Sequence, residues 1–461
     1  MSTLLIKNIH TLVTMDSQRR ELHDAALFIK DGFIQSVGTL AEMPSQADRV
    51  LDLVDHIVFP GFVNTHHHFY QTLTRAVPDV QNVNLFNWLV TLYPIWARMT
   101  PEDIRLSTKT ALVELALSGC TTASDHLYLF PNGSKLDDEI HAAAEVGLRL
   151  HASRGSMSLG ESDGGLPPDS VVDSEEDILK DSQRLIETFH DSNPGSMVQI
   201  VLAPCSPFSV TGELMRQSAA LAREYGVQLH THLAETQDEE DFCIEKFGRR
   251  PVAYMQEVDW IGSDVWFAHS VHVNQDEIKL YARTGCGVAH CPSSNMRLAS
   301  GIAPIVEMLT QGVKVGIGVD GSASNDASHL LGETRQAMLL ARLNAGLGGA
   351  SRSGEETPPL MSARQALEIA TLGGAAVLGR QDIGSLEPGK CADLFAININ
   401  RLDYAGALHD PVAAALFCAP QTVDYNLVGG QPVVEAGQLT KLNLTDHVQK
   451  HNQAAARLLE S

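Results

Sequence analysis

Three adjacent histidines, His66-His67-His68, close the apolar run Ile57-Val58-Phe59-Pro60-Gly61-Phe62-Val63. Side chains alternate across a strand, so His66 and His68 face one way and His67 the other. That spacing predicts a pair of metal ligands at the end of a strand. The pattern recurs. Gln228-Leu229-His230-Thr231-His232-Leu233-Ala234-Glu235 is a second apolar run ending in histidine, with a carboxylate three residues beyond His232. Trp266-Phe267-Ala268-His269 and Lys314-Val315-Gly316-Ile317-Gly318-Val319-Asp320 each end in a ligand type as well.

Histidine and carboxylate ligands without thiolate suit Zn2+ or Fe2+, and a catalytic centre keeps one position open for water. His66, His68, His232 and Asp320 are the expected ligands of one divalent metal. Such a metal lowers the pKa of its water toward neutrality and so supplies a nucleophile for an electrophilic carbon. Glu235, on the loop after the His232 run, is placed to take a proton from that water and deliver it to a substrate ring nitrogen. His269 has two readings, a fifth ligand or a hydrogen bond to the attacking oxygen, and the second is favoured because it stabilises a tetrahedral adduct. Asp320 could both hold the metal and carry the second proton to the leaving group.

The elements that must position these residues follow from the apolar pattern. Eight short runs end near Thr65, Asp125, Ser153, Ala203, His232, His269, His290 and Asp320, with helical stretches between them such as 101–117, 175–189, 212–225, 274–283 and 304–311. Eight strands alternating with helices predict an α/β fold, a (β/α)8 TIM-like barrel whose active site gathers at the C-terminal strand ends. The polar residues above fall there. In the flanks, 25–30 and 33–37 are joined by Asp31-Gly32, and 423–428 and 432–435 by Gly429-Gly430, both hairpin signals. With a strand at 393–397, they predict a small β-sandwich built from both chain ends, residues 1–59 plus 380–461, beside a hydrolase barrel of residues 60–379. A last amphipathic helix, about 447–459, offers Leu458 and Leu459 for packing and no chemistry. The stretch 346–359 reads as a flexible loop, and its glycines lack the Lys-Ser/Thr ending of a phosphate loop.

Of the 461 residues, 44% are hydrophobic and 19% charged, ordinary for a soluble globular protein. The net charge of -23 argues against nucleic acid and anionic membranes as partners and leaves small molecules. Seven scattered cysteines, none in a CxxC arrangement, suggest neither a disulfide framework nor a thiolate zinc site, and fit a reducing cytoplasm. No run approaches the roughly 20 apolar residues of a spanning helix, and the first residues lack a basic segment before a long apolar core, so neither export nor an anchor is expected. A cytoplasmic protein acting on a small neutral or cationic molecule is the expectation.

The full set of motifs resembles the amidohydrolase superfamily over nearly the whole chain. It is carried by Pro60-Gly61-Phe62-Val63-Asn64-Thr65-His66-His67-His68, His230-Thr231-His232-Leu233-Ala234-Glu235, His290-Cys291-Pro292-Ser293-Ser294-Asn295-Met296-Arg297-Leu298, Gly318-Val319-Asp320-Gly321 and Leu386-Glu387-Pro388-Gly389-Lys390-Cys391-Ala392-Asp393-Leu394. These look like the branch of deaminases and triazine hydrolases that holds one metal through HxH, a further His and an Asp. The resemblance implies the roles given above, in a homo-oligomer that acts on a small heterocyclic substrate.

Within that branch the chain resembles the 8-oxoguanine deaminases most, through Ser124-Asp125-His126-Leu127-Tyr128-Leu129-Phe130-Pro131, Ser153-Arg154-Gly155-Ser156-Met157-Ser158-Leu159-Gly160 and Asp163-Gly164-Gly165-Leu166-Pro167-Pro168. Nucleoside-processing relatives carry a ribose-binding Glu where this chain reads Trp88-Leu89-Val90, and a His where it has Cys205. The resemblance therefore implies hydrolytic deamination of a free purine-like base, with 8-oxoguanine favoured. Isoxanthopterin, guanine or an s-triazine are the alternatives, as is a dechlorinating or amide-opening hydrolase on the same fold. Gln71 is expected to read a lactam edge, Arg154 to fork onto a ring carbonyl, Trp88 to stack on the base and Cys205 to line the pocket. His126 ends the second barrel run with its role open.

Overall fold

Strand β1 (Thr3–Val13) pairs antiparallel with β2 (Glu21–Lys30), which turns into β3 (Phe33–Thr39). The turn residues are Asp31 and Gly32, at φ 51° and 85°, the two left-handed conformations a two-residue hairpin loop requires. The other edge of β1 takes β4 (Arg49–Asp52) and β5 (His56–Pro60) in parallel. This computed structural model describes residues 2–347 and 360–460.

One residue separates β5 from the barrel. Gly61 lies against Thr121, where a Cβ at position 61 would come within 2.1 Å of Thr121 Oγ1, so only glycine lets the chain pass. Beyond it eight parallel strands close on themselves: β6 (Phe62–Asn64), β7 (Cys120–Leu127), β8 (Arg149–Ser156), β9 (Val198–Pro204), β10 (Gln228–Leu233), β11 (Val265–His269), β12 (Gly287–His290) and β13 (Lys314–Ile317). These are the eight expected runs, and Ile317 opposite Asn64 completes the ring. The expected helices form as Pro101–Leu117, Glu175–Phe189, Gly212–Tyr225, Gln275–Thr284 and Ile305–Thr310, with further ones at Leu85–Trp96, Leu136–Val146, Gln237–Phe247 and Leu330–Leu347. Of the loop expected at 346–359, Gly346 and Leu347 end the last of these helices, and the remainder lies outside the described residues.

After the barrel, β14 (Leu394–Asn398) pairs antiparallel with β5, and β15 (Tyr425–Val428), β16 (Gln431–Glu435) and β17 (Gln438–Leu439) extend the sheet. The two chain ends thus meet as expected, in one nine-stranded mixed sheet. Phe395 joins this sheet to the barrel, its ring 5.2 Å from that of Phe59 and 4.6 Å from that of Phe62.

The final helix, Leu444–Glu460, departs from expectation in its buried stripe. Leu458 is buried, but Leu459 is 44% exposed, because consecutive helical positions point about 100° apart. The stripe is completed by His447, His451 and Ala454. His451 Nε2 lies 2.9 Å from Thr72 Oγ1, and His447 Nε2 2.8 Å from Thr110 Oγ1. Among the described residues no helix is long and apolar enough to cross a membrane.

Candidate active site

The regular part of β6 ends at Asn64, but pairing carries the extended backbone through the histidines. Thr65 N donates to Ile317 O at 2.8 Å, His126 N to His67 O at 2.8 Å, and Asp320 N to His66 O at 3.1 Å. The Asn64 side chain adds a brace, accepting from Val319 N at 2.9 Å and donating to His66 O at 3.2 Å. Alternation then does what the sequence implied. His66 and His68 turn toward Asp320, while His67 Nε2 lies 2.9 Å from Ser328 Oγ.

Carbonyl partners determine where the imidazole protons sit. A carbonyl only accepts, so a ring nitrogen in contact with one carries the proton. His68 Nδ1 donates to His126 O at 2.7 Å, and His232 Nδ1 to Cys205 O at 2.6 Å. His230 Nδ1 donates to Trp266 O at 3.0 Å, which leaves His230 Nε2 as an acceptor for His66 Nδ1 at 2.8 Å. All three candidate ligands therefore present a bare Nε2.

These lone pairs converge. His68 Nε2 lies 3.1 Å from His232 Nε2, and Asp320 Oδ1 lies 3.2 Å from His66 Nε2 and 3.4 Å from His68 Nε2. His66, His68 and Asp320 bring their donor atoms within 4.8 Å of one another, as do His66, His232 and His269. Burial holds His66, His68 and His232 below the ordinary imidazole pKa, His232 at about 3, so they are neutral. His66 Nε2 is buried with no hydrogen-bond partner among the described residues. Acceptors facing acceptors at these distances repel unless a cation lies between them, so the residues fit a divalent metal.

Glu235 and His269 sit beside this cluster. Glu235 Oε2 is 3.6 Å from His269 Nε2, which is 4.0 Å from Asp320 Oδ2. His269 Nδ1 lies 2.9 Å from Asn295 Oδ1, which turns Nε2 toward the carboxylates. Burial opposes charge on His269, but the Glu235 and Asp320 carboxylates and the Asn295 hydrogen bond outweigh it and raise the pKa. Burial likewise raises Glu235, against the lowering effect of His269 and with the help of Asp320. A carboxyl lifted above its ordinary range is suited to taking and returning a proton near neutrality. Asp320 itself is steadied by Ser324 Oγ, which donates to its Oδ2 at 3.1 Å.

The cavity opening onto these groups is lined by Gln71, Trp88, Tyr93, Tyr128, Cys205, Phe208 and Ser324, among others. Gln71 is there as expected, its Oε1 accepting from Ala323 N at 3.3 Å; a Cβ at position 321 would collide with that oxygen, so Gly321 makes the approach possible. Trp88 presents its ring to the cavity while its Nε1 donates to Ala323 O at 3.1 Å. Cys205 lines the wall as a neutral thiol, its pKa pushed up to about 12 by burial.

Arg154 is not brought to the cavity. Its side chain leaves β8 on the outer face, toward the helix Glu175–Phe189, where Nε donates to Asp181 at 2.9 Å and Nη2 to Asp173 at 3.1 Å. The guanidinium also covers the Phe130 ring at 4.1 Å, so its donors and its flat face are both engaged. The expected fork onto a substrate carbonyl is replaced by a structural ion pair. His126, left open by the sequence, packs behind the ligands: its ring stacks on His232 at 4.9 Å and its Nε2 donates to Ala203 O at 2.7 Å.

Sequence reasoning overlooked His230, Asn295, Glu239 and the aromatic walls Tyr93, Tyr128 and Phe208. His230 had a signal, since His230-Thr231-His232 repeats the spacing of His66 and His68.

Comparison with known proteins agrees with this geometry. The Amidohydrolase family matches residues 57–433. The chain is 52% identical to the 8-oxoguanine deaminase of Pseudomonas aeruginosa, covering 95% of this chain and 96% of that one. It is 37% identical to an isoxanthopterin deaminase from an unknown prokaryotic organism, over 82% of this chain and 80% of the relative. The solved structure of atrazine chlorohydrolase from Arthrobacter aurescens TC1 complexed with zinc superposes with a TM-score of 0.92 at 32% identity, covering 98% of this chain and all (100%) of that one. On the barrel, the convergent histidines and these likenesses together, the chain belongs to the amidohydrolase family.

Proposed function

We propose that the protein is a metal-dependent deaminase of a free purine-like base, with 8-oxoguanine as the favoured substrate. The observation that carries the reading is the Glu235–His269 pair, 3.6 Å apart, beside three bare imidazole nitrogens and Asp320 on an aromatic-walled cavity. His66, His68, His232 and Asp320 would hold the ion, and the zinc complex of the similar atrazine chlorohydrolase supports Zn2+ over Fe2+. When bound, a divalent metal makes water nucleophilic at neutral pH and polarises the carbon it attacks.

The chain's own residues move the protons. Glu235 takes one from the attacking water and delivers it to the ring nitrogen next to the amino-bearing carbon. His269 Nε2 hydrogen-bonds the attacking oxygen and stabilises charge as the carbon becomes tetrahedral. Asp320 takes the second proton and passes it to the amino group, which leaves as ammonia while the ring carbon keeps the oxygen. Trp88, Tyr93, Tyr128 and Phe208 offer the flat walls a heterocycle stacks on, and the Gln71 amide can pair with a lactam edge.

The substrate reading rests on the likeness to 8-oxoguanine deaminase and on the cavity's charges. Its carboxylates are Glu235, Glu239 and Asp320, all following β10 or β13, so among the described residues the segment around Trp88 contributes none to hold a ribose. Ammonia release from 8-oxoguanine, guanine, isoxanthopterin, cytosine, an aminotriazine and a purine nucleoside under identical conditions tests it. The oxidised base should turn over fastest and the nucleoside not at all. Faster turnover of the nucleoside, or activity on the triazine alone, overturns the substrate.

A further inference from the structure

Thr236-Gln237-Asp238-Glu239 has the form of a capping box, in which the fourth residue reaches back to the backbone N–H of the first. Half of the box is present: Thr236 Oγ1 accepts from Glu239 N at 3.3 Å. The other half is not. The Glu239 carboxylate passes Thr236 by and takes the two preceding amides, Ala234 N on Oε1 and Glu235 N on Oε2, each at 2.8 Å.

The backbone there has an unusual shape. Ala234 lies at φ 53°, a left-handed conformation that a residue with a Cβ adopts only when its surroundings impose it. That reversal turns two successive N–H groups to one side, and the same turn is tied to the end of β11 by Ser270 N to Leu233 O at 3.1 Å and His272 N to Ala234 O at 2.9 Å. His269 and Ser270 are left-handed too, at φ 70° and 47°. Two strained turns, carrying Glu235 and His269, are thus laced together, and Glu239 closes the lacing from the helix side. At 1% exposure Glu239 is almost wholly buried, where little water can compete for the same amides.

We propose that Glu239 is a positioning residue for Glu235: its two carboxylate oxygens hold the Ala234–Glu235 amides so that the Glu235 carboxyl meets His269 and the reacting atoms. This rests on Glu235 being the proton-transferring group. Glu239→Gln keeps the shape but places an NH2 against one of the two amides, so one hydrogen bond is lost and the turn relaxes.

The test is a cycle of wild type, Glu235→Gln, Glu239→Gln and the double variant, all metal-loaded and assayed for ammonia release from 8-oxoguanine. Glu239→Gln should lower kcat by about 100-fold, the scale of a small misplacement at a reacting centre, with KM and bound metal unchanged. In the double variant the second substitution should cost nothing further, since Glu239 acts only through Glu235. Deuterium exchange of the peptide spanning Leu233 to Gln237 should quicken in Glu239→Gln and leave the peptides of β6 unchanged. An unchanged kcat, losses that multiply in the double variant, or a KM increase or metal loss that accounts for the whole effect would each overturn the proposal. A silent Glu235→Gln in an enzyme that does release ammonia would refute the role of Glu235, and this one with it. An inactive wild type that binds metal normally would refute the substrate instead, and the exchange of the Leu233 to Gln237 peptide then decides the Glu239 contact on its own.

Discussion

His66 Nδ1 lies 2.8 Å from His230 Nε2, and through that contact the Trp266 carbonyl dictates which nitrogen of His66 is bare. The proton of a β6 ligand is thus set from β11, a strand that does not adjoin β6, two hydrogen bonds away. His230→Gln should therefore retain the fold and weaken metal binding by about 10- to 100-fold, the range for partners that orient a ligating imidazole. His68→Ala and Asp320→Ala should go further and lose both metal and turnover. Elemental analysis and chelator competition measure this; His230→Gln at wild-type affinity would remove the relay from the account.

Glu235→Gln should keep the metal and lose about 100-fold or more in turnover, as expected for removing a general acid–base. Its Oε2 faces His269, not the converging ligand atoms, so metal content is the control. A metal-free variant would make Glu235 a ligand.

Gln71 and Arg154 should separate cleanly. Gln71→Ala, on the cavity wall, should reduce kcat/KM about tenfold or more with little change in Tm. Arg154→Ala breaks the contacts to Asp173, Asp181 and Phe130, and should cost about 1–3 kcal/mol of stability while leaving kcat/KM near wild type. A drop in kcat/KM without a drop in Tm for Arg154→Ala would return it to the substrate.

The last helix should be acid-sensitive. Burial depresses His451 to about 4, with Arg75 and His447 adding to the effect. The unfolded chain, near 6.5, binds the proton more readily than the folded one, so the stability held by neutral His451 is full above about pH 6.5 and is lost as pH falls toward 4. His447 is lowered in the same direction. His451→Gln, which can still bond Thr72, should show a smaller fall in Tm between pH 7 and pH 4.5 than wild type. Equal falls would place the acid sensitivity elsewhere.

The barrel was readable because strands such as β11 and β12 are short apolar runs that end in a histidine, whereas β8, which starts at Arg149 and carries His151 midway, shows the pattern less plainly. The ligand pair in His66-His67-His68 was readable because alternation depends only on an extended backbone. Alternation also contains the correction at Arg154, whose side chain leaves the outer face of β8 beside Asp181. His230 was passed over because a histidine two residues from a ligand can be a second ligand or its hydrogen-bond partner, and only the carbonyl of Trp266 distinguishes them. Glu239 was hidden by the capping-box pattern, which accounts for a glutamate there without reference to chemistry.

The passage of the chain from β5 through Gly61 into β6 bears on how the protein is made. β5 continues into the strand that carries His66 and His68, and its partner on one side is β14, residues Leu394–Asn398. A ribosome must therefore have delivered the chain as far as Asn398 before that edge finds its neighbour. Until then β5, held by β1 on one side, keeps its other edge open along an apolar sequence, the kind of edge that recruits other chains. The ligand strand is thus tethered to one of the last parts of the fold to close, and a nascent chain holds its first two ligand histidines, His66 and His68, long before it holds the scaffold that keeps them in place.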